Sequence, residues 1–116
     1  MLFRSEYRER AEQVFRMYGA AAAQNPFCFS HLLAALDFSL QSISIVLAGG
    51  RGEAAPLVEA VHRSYHSARV LAFADDVPIG QGRHPVGGQP AAYVCRNRTC
   101  DAPVTSAQAL LECCTA

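Results

Sequence analysis

Two cysteines five residues apart, Cys95 and Cys100, are the positions at which this sequence offers chemistry. Arg96 and Arg98 lie between them and would favour thiolate, the form that attacks disulfides and binds metals. The spacing is not the Cys-x-x-Cys of a redox helix, and a zinc site needs about four ligands where this loop offers two. Cys113, Cys114 or a histidine could complete such a set, but no second ligand pair has finger-like spacing. The sequence therefore favours a structural thiol pair, Cys95 packed in a strand and Cys100 in the following turn. A small thiol-redox or metal-binding module built on the same pair is the alternative.

Other combinations carry less. His62 and His66 stand four apart, as on a zincin helix, but Arg63 occupies the place where that chemistry needs a glutamate. Interaction with a helix C-terminus suits them better. His31, beside Leu32 and Leu33, reads as a boundary side chain. The turn Gly49-Gly50-Arg51-Gly52 leads from strand to helix, where amides can hold an anion, yet it matches neither the dinucleotide fingerprint nor the P-loop. Asp75 and Asp76, adjacent in a loop, cannot set the separation that paired acids need across a sugar, and read as solvated charges. No catalytic residue, metal site or cofactor is assigned.

The elements that position these residues follow from periodicity. From Phe3 to about Tyr18, Tyr7, Ala11, Val14, Phe15 and Tyr18 recur at helical spacing, with Glu6, Glu9, Arg10 and Arg16 opposite. An alanine-rich connection leads to Asn25-Pro26, an N-cap followed by proline at the first helical position, and Phe29, Leu32, Leu33, Leu36 and Leu40 form a second apolar face. The period changes at Ser42 to Leu47, a buried strand. Ala54, Leu57, Val58, Val61 and Tyr65 then share a helical face, and Arg69 to Phe73 forms a second strand, parallel to the first through a right-handed crossover. Asp75 to Pro90 is rich in proline and glycine and reads as irregular surface chain. Ala91 to Cys95 is a third strand. A last helix runs from Thr105 to about Cys113, with Thr105 and Gln108 at capping-box spacing as its structural cap. The predicted fold is thus mixed: a helical hairpin over residues 1–41, then over 42–116 a small α/β unit with a three-stranded, βαβ-containing sheet and a C-terminal helix.

Composition bounds the function classes. The 116 residues carry ten acidic and ten basic side chains, every basic one an arginine, for a formal charge of zero. There is no excess positive field for a nucleic acid or an anionic membrane, so neither is expected as a partner. The longest uncharged stretch, Arg16 to Asp37, is interrupted by Gln24, Asn25, Pro26, Ser30 and His31, and falls short of the about 20 predominantly apolar residues of a membrane span. Five cysteines behind a charged N-terminus without a signal-like apolar run fit a reducing cytoplasm. Arginine without lysine, with abundant alanine, is the composition of a GC-rich bacterial genome.

The run Pro90 to Thr105, with Tyr93-Val94-Cys95 and Cys100-Asp101-Ala102-Pro103-Val104-Thr105 as its specific pieces, resembles the C-terminus of the thioredoxin-domain-containing family related to spermatogenesis-associated protein 20. His31-Leu32-Leu33-Ala34-Ala35-Leu36-Asp37-Phe38, followed by a strand and glycine, resembles the same family just upstream. Such proteins join a thioredoxin-like domain to a helical toroid similar to six-hairpin glycosidases and sugar epimerases. The resemblance implies that residues 1–41 are the last hairpin of such an α/α toroid. It implies a non-catalytic C-terminal portion of a protein linked to carbohydrate metabolism, with the rest of the toroid, or self-association through exposed helical faces, as partner. Two helices alone would leave Phe15, Tyr18, Phe29 and Leu33 incompletely covered.

Overall fold

A computed structural model of the chain describes residues 5–97 and 99–115. Phe3, the predicted start of the first helix, lies outside them. Helix α1 spans Ser5–Gln24. It continues past Tyr18 because Ala20 to Ala23, read from the sequence as a connection, are strong helix formers. Asn25 does not cap the next helix: its Nδ2 donates to Cys28 Sγ at 3.1 Å, and Pro26–Phe29 form a 3-10 turn before α2, Ser30–Gln41. Ser42, already extended, ends α2 by donating its N–H to Phe38 O.

Strand β1, Ile43–Ala48, is buried at all six positions. Its alternate side chains enter different cores, which is why it is apolar on both faces apart from the buried Ser44. Ile43, Ile45 and Leu47 pack with Leu57, Val61, Ala92, Val94 and Leu110, whereas Val46 packs with Val77, Val70, Ala72, Ile79 and Tyr93 on the other face. Helix α3 (Ala55–Arg63) follows, then β2 (Arg69–Phe73), β3 (Ala91–Arg96), β4 (Thr99–Cys100) and α4 (Ala107–Thr115).

The fold is mixed: the described residues form four α-helices and one mixed sheet in the order β2-β1-β3-β4. β1 lies parallel to β2, with Ile45 opposite Leu71, and antiparallel to β3, with Ile45 opposite Val94. The predicted sheet had three strands. The fourth is the two-residue β4, which brings Cys100 out of the expected turn and into register with Cys95.

Helices α3 and α4 cover one face of the sheet. The other is covered by the segment between β2 and β3, where two 3-10 turns, Ala74–Asp76 and Pro78–Gly80, stack closely. A Cβ on Gly80 would lie 2.0 Å from Ala74 O, so this contact requires glycine.

Two helix ends differ from expectation. α3 stops at Arg63, leaving His66 beyond it and Tyr65 fully in solvent. α4 is capped by Ser106, whose Oγ accepts from Ala109 N at 3.1 Å, and not by Thr105 with Gln108. Val104 exchanges both backbone hydrogen bonds with Ala92, which holds the chain extended and delays the helix by one residue; Gln108 donates instead to Glu112.

Candidate functional site

The site is built on the β3–β4 hairpin. Asn97, the described residue of its two-residue loop, has φ of 50°, a left-handed conformation that asparagine tolerates better than most residues. Arg96 faces Thr99 and Cys95 faces Cys100. Asp101 N donates to Val94 O at 2.9 Å, so by antiparallel alternation the cysteines occupy a non-hydrogen-bonded pair, where facing side chains approach most closely. They are joined as a disulfide, with Cα atoms 3.9 Å apart. Cys28, Cys113 and Cys114 are free thiols.

Among the described residues, the arginine at the sulfurs is not Arg96. Arg98 lies outside the described residues. Arg96 turns away, donating to Cys113 O at 2.8 Å and pairing with Asp101 at 3.3 Å. It is Arg83, from the proline- and glycine-rich segment, whose Nη2 lies 3.3 Å from Cys100 Sγ. Its guanidinium also sits 5.4 Å from the centre of the Tyr93 ring, and its Nε is buried without a hydrogen-bond partner. Tyr93 fixes that segment by donating its hydroxyl to His84 O at 2.7 Å. Arg83 is 17 residues from Cys100 in sequence, and no local pattern announces the contact.

Cys95 itself is 3 % exposed. It borders a small cavity of about 60 Å³ with Arg8, Ser39, Ser42, Ser44, Ile79 and Asn97. Cys113 and Cys114 belong to the core on the opposite face, with Leu110 and Val61, so the sheet separates them from the disulfide. Burial is the main cause that raises the Cys114 pKa, and the neighbouring Cys113 adds to it; Arg69, Arg96 and a hydrogen bond with Ser64 act against both.

The remaining candidates do not converge. His31 and His62 are exposed, and His66 accepts the Ala68 amide on Nδ1, so His62 and His66 do not share a helical face. Asp76 is not simply solvated: it pairs with Arg51 at 2.5 Å, while the Arg51 guanidinium stacks 4.3 Å above the Phe73 ring. That pair ties the Gly49–Gly52 turn to the end of β2 and occupies its cation. Among the described residues, no three histidine, cysteine or acidic side chains form a metal-binding group.

No protein-family model matches the chain, and neither the curated proteins nor the solved structures contain a match. Among the described residues, no helix is long and apolar enough to cross a membrane.

Proposed function

We propose that the chain is a C-terminal closing module of a larger cytoplasmic protein, resembling the thioredoxin-domain-containing, spermatogenesis-associated protein 20-like family. In this reading α1 and α2 are the last hairpin of an α/α toroid linked to carbohydrate metabolism, and they pack against its other helices. In that assembly the part of α1 and α2 is to close the toroid. The observation that supports this is the bareness of the hairpin. Phe27 is 94 %, Met17 71 % and Leu40 68 % exposed, Tyr7, Val14 and Tyr18 are also exposed, and Phe15, Phe29 and Leu33 are half-buried. Ala22 is the buried residue of the described hairpin side chains. Apolar side chains gathered on one protruding element are the mark of an interaction surface, whereas the sheet behind it fills its core from its own residues.

The partner of this surface is the remainder of the toroid. Without it, the hairpin should pair with a second copy of itself. Light scattering on the purified chain is expected to show mass rising with concentration, and the double variant Met17→Glu, Leu40→Glu to return it to monomer with reduced binding of a hydrophobic dye. A chain that stays monomeric at all concentrations and binds no dye would contradict the reading. The coding frame on the 5′ side is expected to encode further helical hairpins.

A further inference from the structure

Independently of the hairpin, we propose that Cys95 and Cys100 form an exchangeable dithiol–disulfide site that acts on low-molecular-weight disulfides. Cys100 is the attacking sulfur, Cys95 the resolving one, and Arg83 the cation that holds the Cys100 thiolate.

The two sulfurs are unequal. Cys95 is buried in a central part of the sheet, whereas Cys100 is half-buried on the edge strand β4. Arg83 touches Cys100 alone through its Nη2. Among the described residues no carboxylate pairs with Arg83, and its buried Nε goes without a partner. Holding a partly dehydrated guanidinium against a neutral sulfur leaves its charge uncompensated. Reduction of the disulfide creates the compensating anion, because a thiolate beside an arginine is favoured over the thiol. Cys95 Sγ lies 3.9 Å from Tyr93 O, an acceptor within reach of a reduced Cys95 thiol. The presence of three free thiols in the same chain is what a reducing compartment allows, and disulfides there are mostly transient, serving catalysis or sensing.

The exchange is balanced without another reagent. The Cys100 thiolate attacks one sulfur of an external disulfide RS–SR; that bond breaks, and RS⁻ leaves with the electron pair and takes a proton from water. Cys95 gives its proton to water and attacks Cys100 Sγ, displacing the second RS⁻, which takes a proton from water, and forming the Cys95–Cys100 bond. The dithiol loses two electrons, and the external disulfide becomes two thiols. Excess thiol drives the same steps in reverse. The hairpin register keeps the resolving sulfur opposite the mixed disulfide, so the second step is intramolecular. The cavity of about 60 Å³ beside Cys95 is too small for a substrate, which directs the external disulfide to the half-buried Cys100 on the edge strand.

The test uses the whole chain, reduced, freed of reductant and alkylated with iodoacetamide at neutral pH. Trypsin cuts at Arg96 and Arg98, placing the two cysteines on separate peptides for mass spectrometry. Cys100 is expected to be alkylated about tenfold faster than Cys95. Arg83→Gln should slow Cys100 about tenfold, and Arg83→Lys should retain most of the rate. Oxidised glutathione should leave a mixed disulfide on Cys100 in the Cys95→Ser variant. Equal or faster labelling of Cys95 in the unaltered chain would overturn the proposal, whatever the variants do. So would a Cys100 rate indifferent to a folded Arg83→Gln, or a disulfide that excess glutathione cannot open in the folded chain.

Discussion

Arg69, the first residue of β2, donates through Nη1 to the carbonyl oxygens of Val61 and Ser64 and, at 3.2 Å, to Ser64 Oγ. A side chain from the sheet thus closes the C-terminus of α3, supplying both hydrogen bonds and positive charge where the helix has orphan carbonyls. The sequence pointed to His62 and His66 for that role, but His66 lies beyond the helix, and Arg63 in its last turn pairs with Glu59 at 2.5 Å. Arg69→Met keeps the apolar stem and removes the donors. It should destabilise the chain by about 1.5–3 kcal/mol, the range for hydrogen bonds to a charged group, with Arg69→Lys falling between. Urea denaturation measures this, and an unchanged midpoint would mean that the contact contributes nothing.

The start of α4 provides a sharper comparison. Ser106 Oγ holds the Ala109 amide, whereas Thr105 lies in the extended chain before it. Ser106→Ala should cost about 1 kcal/mol, and Thr105→Ala should stay within about 0.5 kcal/mol of the unaltered chain. Thermal unfolding of both variants decides the assignment; a reversed order would return the cap to Thr105.

Why some features were legible and others not has a physical basis. The switch of period at Ser42 is a property of consecutive residues, so β1 could be read directly, as could β3 from Ala91 to Cys95. β4 has two residues, too few to show any alternation, and its existence depends on closing the loop at Asn97. Thr105 and Ser106 are chemically near-equivalent caps, and what distinguishes them is the distant bridge between Val104 and Ala92. Arg83 and Arg69 reach their partners through tertiary structure. In the candidate site, the cysteines were visible while the arginine beside Cys100 was not.

Cys114 should make stability depend on pH. Its folded-state pKa is raised, mainly by burial, so between the ordinary thiol value of about 8.5 and the higher folded value the unfolded chain has lost a proton that the folded chain keeps. The associated stability is fully present below about pH 8.5 and is lost as pH rises from there through the folded pKa. Urea midpoints across alkaline pH should fall, and Cys114→Val should flatten that slope. An equally steep fall in the variant would assign the dependence elsewhere.

The central claim, that the α/β unit is complete while the hairpin awaits a partner, is tested most directly by hydrogen–deuterium exchange at two protein concentrations. In dilute monomer, amides of Ile45, Val46, Leu47 and Val94 should exchange only with global unfolding, and those of α1 from Tyr7 to Tyr18 about a hundredfold faster or more. Raising the concentration should slow exchange in α1 and α2 and leave β1 and β3 unchanged. Hairpin amides as slow as those of β1 at every concentration, or protection that grows in the sheet instead, would contradict the account.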